Sequence, residues 1–126
     1  MATKETEEHL REICLSFPEV TEKLSHGTPS FFARKQFASL WMGGHHERDY
    51  AHLTCAAPEG AQEILIASDP EVYFRPPYVG HRGWIGVRLD VRADFDAIEE
   101  ILEDAYRCVA SKRQIAAWDA SRNNSG

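Results

Sequence analysis

The stretch WIGVRLDVRADFDAIEEILEDAYRCV, Trp84 to Val109, changes its hydrophobic period once. From Trp84 to Leu89 the apolar residues Ile85, Val87 and Leu89 alternate with Trp84, Gly86 and Arg88, the two-residue period of a half-buried strand. Beyond it Phe95, Ile98, Leu102, Ala105 and Val109 recur in steps of three and four, the buried stripe of an amphipathic helix. Asp94 stands where an N-cap belongs, and Asp96, Glu99, Glu100, Glu103 and Asp104 form the solvated side. Lys112 and Arg113 follow at the C-terminal end, where the helix dipole favours cations. One face of a sheet and one stripe of a helix need each other to be buried.

Working outward, Lys4 to Ser16 predicts a first helix with Leu10, Ile13, Cys14 and Phe17 on one face, ended by the Phe17-Pro18 step. Ser30 to Arg34, Phe37 to Met42 and Tyr50 to Cys55 read as strands, with Lys35-Gln36 as a two-residue connection and Gly43 to Asp49 as a polar loop. Pro58 to Ser68 predicts a second helix with proline in its first turn, stopped by Asp69-Pro70. Glu71 to Arg75 is extended, and Pro76 to Gly80 suits neither helix nor central strand. The order helix, strands, helix, strand, helix gives an α+β fold: an antiparallel sheet whose core face is covered by the two end helices. There is no internal repeat or linker. One domain is expected over residues 1–118, with 119–126 as a flexible tail.

The 126 residues are 43% hydrophobic and 27% charged, which excludes wholesale disorder. The three cysteines, Cys14, Cys55 and Cys108, have no close spacing, and Cys14 and Cys108 sit beside apolar helix positions. Buried, inert thiols in a reducing compartment are expected. No apolar leader or membrane-length run is present, so a cytoplasmic location is expected. The net charge of −6 opposes simple affinity for nucleic acid. Its distribution softens that: residues 1–22 carry two bases against six acids, 93–126 four against seven, and 23–92 eight against seven.

The strands carry two kinds of face. Ala38, Leu40, Met42, Ala51, Leu53, Cys55, Ile85, Val87 and Leu89 suit a core. The alternate set is Phe37, Ser39 and Trp41, then Tyr50, His52 and Thr54, then Trp84, Gly86 and Arg88, with Phe32 and Arg34 beside them. Aromatics mixed with cations and hydroxyls suit stacking together with phosphate contact; the plainer reading is a face covered by a loop or a second copy of the chain.

The loop Tyr78-Val79-Gly80-His81-Arg82-Gly83-Trp84 is the second candidate. Its glycines admit close backbone approach, Arg82 offers a planar fork for an anion, and His81 can donate beside it. The plainer reading is a rigid connector with its arginine in an internal ion pair. In His26-Gly27-Thr28-Pro29, His26 is either a ligand contact or a residue that ties the turn to the sheet. His45, His46 and His52 lie close together, but no cysteine or carboxylate completes a set, so no metal or other cofactor is expected. No catalytic motif of the nucleophile-elbow or HExxH kind occurs, and a non-catalytic role is expected.

Several segments together carry a likeness: His26-Gly27-Thr28-Pro29-Ser30-Phe31, Phe37-Ala38-Ser39-Leu40, Asp69-Pro70-Glu71-Val72-Tyr73-Phe74, Pro76 to Trp84 and Arg88-Leu89-Asp90. With them the chain resembles the MmcQ/YjbR family from the first helix to about Ala117, the PPYVGHRGW segment being the most specific. The resemblance implies a CyaY-like fold, a twisted antiparallel sheet flanked by N- and C-terminal helices, and a DNA-binding role. In that role Arg34, Lys35, Arg82 and Arg88 would meet phosphate and Trp41, Tyr78 and Trp84 would stack. Two alternatives stand beside it. One is a small-anion or metabolite sensor built from His26, His81, Arg82 and Trp84; the other is a protein-interaction domain using the aromatic sheet face.

Overall fold

Asp94 caps the helix that follows it: its carboxylate accepts from the backbone N–H groups of Asp96 and Ala97, at 3.1 and 3.2 Å. The computed structural model describes residues 4–43, 50–91 and 94–124. In chain order these form α1 (Lys4–Leu15), β1 (Thr21–Ser25), β2 (Thr28–Phe32), β3 (Gln36–Trp41) and β4 (His52–Cys55). Then come α2 (Ala61–Ser68), β5 (Tyr73–Phe74), a short 3-10 turn (Gly80–Arg82), β6 (Ile85–Arg88), α3 (Phe95–Val109) and α4 (Lys112–Asn124). The strands make one antiparallel sheet in the order β1-β2-β3-β4-β6-β5. The fold is α+β, with helices at both ends of the chain, as expected.

The core lies between the sheet and the terminal helices. Leu10 and Cys14 of α1, Phe31, Leu40, Leu53, Ile85 and Val87 of the sheet, and Leu102 and Ala105 of α3 are almost wholly buried. Each large aliphatic side chain so placed contributes about 1.5–3 kcal/mol over exposure. Tyr106 is the hinge of this layer. Its ring stacks on Phe17 at 4.9 Å, meets Phe37 edge-on at 5.9 Å, and its hydroxyl donates to the Pro18 carbonyl at 2.9 Å.

One strand was not foreseen and three expectations are corrected. Strand β1 is exposed along nearly its whole length and has no apolar alternation to announce it; it is held by its ladder to β2 through a His26-Gly27 turn with both φ values positive. Phe37, expected on the second face, is buried against Phe17 and Tyr106, because a bulge between Phe31 and Phe32 inserts one residue and turns it inward. Cys14 and Cys55 are buried, with burial pushing both thiols up, but Cys108 is exposed, one step off the apolar stripe of α3. Lastly, the residues from 119 onward continue α4 to Asn124. Ser111 and Gln114 bond reciprocally, Ser111 N–H to Gln114 Oε1 at 2.8 Å and Gln114 N–H to Ser111 Oγ at 3.1 Å, which caps a new helix. Asp119 is tied to Arg107 of α3 at 2.5 Å.

Candidate functional site

The helix-free face of the sheet is ordered by a single register line. Lys23, Ser30, Ser39, Thr54, Gly86 and Phe74 stand side by side across all six strands. Alternation puts them opposite the core residues, and their centre is small and polar. Ser30, Ser39 and Thr54 are nonetheless buried. The Ser30 and Ser39 hydroxyls bond at 3.0 Å, Gln36 donates to Ser39 Oγ, and the Trp41 indole N–H donates to Thr54 Oγ1 at 3.3 Å. Phe74 lies across Gly86, where a Cβ would collide with its ring.

The next register line is Trp41, His52 and Arg88. With Tyr50 and Phe74 these residues form one aromatic and cationic cluster. Trp41 and His52 are nearly parallel, 16° apart at 6.3 Å, and His52 meets Phe74 edge-on at 5.3 Å. Tyr50 lies 5.7 Å from His52 and 5.9 Å from Phe74. The Arg88 guanidinium sits 4.1 Å from the centre of the Tyr50 ring and donates twice to Asp90, at 2.9 and 2.7 Å. That hydrogen-bonded pair raises the guanidinium's pKa and holds the Asp90 carboxyl below its ordinary value.

Charge divides the two faces of the sheet. Glu22 is the one acidic residue in the six strands, and it points to the helix layer, accepting from Arg11 Nε of α1 at 2.8 Å. The strand positions of the helix-free face therefore carry two cations, Lys23 and Arg88, and no acid. The acids of α1 and α3 belong to the helical side.

The loop between β5 and β6 borders this face where Phe74 and Gly86 pair. Gln62 of α2, a buried residue that no sequence motif singles out, holds it. Its amide donates to the carbonyls of Gly80 at 2.9 Å and Trp84 at 2.6 Å. Tyr78 is 71% exposed at a φ of 65°, a backbone region that side chains other than glycine rarely occupy. His81 and Arg82 are exposed as well, and the Arg82 guanidinium lies 5.5 Å from the centre of the Trp84 ring.

The predicted site residues thus separate into groups. Trp41 and Arg88 join the cluster, while Tyr78, His81 and Arg82 stand on the adjoining loop. Trp84 is buried and supports Arg82 rather than offering a ring of its own. Arg34 turns to the helix layer, donating to the last carbonyl of α3 at Val109, 3.1 Å away, while Lys35 is exposed in the β2–β3 turn. His26 is exposed in the β1–β2 turn, at the opposite sheet edge from His81 and Arg82, so the four-residue anion pocket is not formed. Lys23, Tyr50 and Phe74 complete the helix-free face. His45, His46, Arg48 and Arg92 lie outside the described residues. Among the described residues no three His, Cys, Asp or Glu side chains are placed to hold a metal ion, and no helix is long and apolar enough to cross a membrane.

The model of the YjbR family matches residues 15–108, from the end of α1 to the end of α3. Among solved structures, the crystal structure of Deinococcus radiodurans protein DR2400, with a DUF419 domain, is similar in fold at a TM-score of 0.71. It is 18% identical, over 89% of this chain and 86% of that one. A search of curated proteins returns no match.

Proposed function

The chain belongs to the YjbR family, and from that premise we propose that it is a non-catalytic nucleic-acid-binding module whose ligand lies across the helix-free face of the sheet and against the Tyr78–Trp84 loop. The observation that carries the reading is the charge division: strand positions that are free of acid and bear Lys23 and Arg88, beneath a rim of aromatic rings. A net charge of −6 repels nucleic acid from most of the molecule, so binding is confined to this face and the cations of the loop. Arg82 and His81 meet phosphate at the loop end, Lys23 meets it at the β1 edge, and the rings contact bases.

The experiment is fluorescence anisotropy of labelled oligonucleotides with the full chain, titrated across salt. Saturable binding at low salt, weakened by Arg82→Ala and by Lys23→Ala but not by Lys112→Ala on α4, is the expected result. Absence of binding at low salt, where attraction is strongest, would overturn the proposal.

A further inference from the structure

We infer that the open edge of β1 pairs with the same edge of a second copy of this chain, joining two sheets into one about a two-fold axis at Leu24. β1 ends the sheet, and among the described residues it has a neighbour on one side only. Pro29, opposite Leu24 in the β1–β2 ladder, has no N–H to give. The hydrogen-bonded pairs of that ladder are therefore Thr21–Phe32, Lys23–Ser30 and Ser25–Thr28, and the peptide groups of Glu22 and Leu24 point to the open edge. The usual guards of such an edge are missing or turned away. No proline or bulge interrupts β1, and the Lys23 cation leans over the Phe32 ring of its own copy at 5.5 Å. Leu24 beside it is 75% exposed.

The register selects a second copy as the occupant. A two-fold axis normal to the sheet keeps each face on its own side, so a residue meets only residues of its own face. Three such registers centre on the middle of the strand. One sets Lys23 against the partner's Lys23 and another Glu22 against the partner's Glu22, and like charges opposed across strands repel. The third sets Leu24 against the partner's Leu24, Lys23 opposite the partner's Ser25 and Glu22 opposite the partner's His26. It alone of the three opposes no like charges, and it buries the exposed leucine and brings a carboxylate to an imidazole. Both copies then turn their helix-free faces the same way, and each Lys23 borders the other copy's face.

The test is sedimentation velocity of the full chain from about 5 μM to about 1 mM, a span that covers dimers held by small interfaces. Expected is a reversible monomer–dimer equilibrium. Leu24→Pro removes an outward N–H and the apolar contact but no bond to β2, and should weaken the dimer by at least about tenfold. Far-UV circular dichroism shows whether that variant keeps its fold. A second arm does not depend on it. In a Cys108→Ser background, mild oxidation should link Leu24→Cys to its own copy faster than Lys23→Cys or Glu22→Cys, because a hydrogen-bonded antiparallel pair sets its Cα atoms about 5.5 Å apart, within disulfide reach. A chain monomeric at every concentration, a folded Leu24→Pro that dimerises like the native chain, or linking fastest at position 22 or 23 overturns the inference. None of these readouts involves an oligonucleotide, so the dimer and the nucleic-acid reading fail separately.

Discussion

Asp90 takes both hydrogen bonds that Arg88 directs along the sheet, at 2.9 and 2.7 Å, while the same guanidinium lies 4.1 Å from the centre of the Tyr50 ring. A carboxylate on the cation of a proposed anion-binding face lowers the attraction that cation offers. Asp90→Asn should therefore tighten oligonucleotide binding. Partly exposed ion pairs are worth about 0.2–1 kcal/mol, so the gain is at most about fivefold, and it should shrink with salt. Anisotropy titrations of Asp90→Asn and Arg88→Ala would read it; unchanged or weaker binding by Asp90→Asn would remove Arg88 from the interface.

The carboxyls of Asp90, Asp119 and Glu19 are all held below their ordinary values, chiefly by hydrogen bonds from Arg88, Arg107 and Arg113 respectively. A folded-state pKa below the unfolded one means that the unfolded chain binds more protons at acid pH. The stabilisation is present above the ordinary carboxylate range and is lost as pH falls through the lower folded values. Thermal melts should be level near neutrality and fall progressively below about pH 4. Asp119→Asn, which removes the carboxylate facing Arg107, should flatten part of that fall. A melting temperature that held steady or rose on acidification would contradict the assignment.

Tyr106 joins α3 to the α1–β1 connection by one hydrogen bond and to the core by two ring contacts. Tyr106→Phe keeps the rings and should cost about 1 kcal/mol, the worth of one hydrogen bond. Tyr106→Ala opens a cavity beside Phe17 and Phe37 and should cost about 3–5 kcal/mol. Urea denaturation of the two variants measures the difference, and equal losses would show that the hydroxyl, not the ring, carries the contact.

What could be read beforehand was whatever repeats along the chain. The stripe of α3 and the alternation of β3, β4 and β6 gave the core and half of the candidate face, including Trp41, His52 and Arg88. Period alone carries no register, so the bulge that turns Phe37 inward was out of reach. β1 has no apolar face to signal it, and Lys23 was missed with it. Phe74 sits in a two-residue strand, too short for any pattern. The Ser111–Gln114 capping box was written in the sequence and passed over, because Lys112 and Arg113 look like the end of α3.

That box gives a direct prediction. Ser111→Ala removes the hydroxyl that accepts from Gln114 N–H and should cost about 1 kcal/mol. The loss should appear first at α4, as faster amide exchange there than in α3. Uniform exchange across both helices would mean that α4 is held by the Arg107–Asp119 pair and Trp118 packing instead.

Gly86 sits in the middle of β6 with Phe74 of β5 lying over it, and a Cβ at that position would enter the ring. The backbone of Gly86 is ordinary strand, so alanine fits the chain itself; the ring must give way. Gly86→Ala should lift Phe74 from the sheet and disturb its edge contacts with His52 and Tyr50, at 5.3 and 5.9 Å. Two effects then oppose each other in stability: alanine restricts the unfolded chain, which favours folding by about 0.4–1 kcal/mol, while the displaced ring loses contacts of similar worth. The net change in folding free energy should stay within about 1 kcal/mol. Binding has no such compensation, because the displaced ring disturbs the aromatic cluster at the proposed interface. Oligonucleotide affinity should fall by roughly fivefold or more, the worth of one stacked base, at nearly unchanged melting temperature. A variant that melted far lower would mark Gly86 as a folding requirement. One that bound like the native chain would show that Phe74 takes no part in the interface.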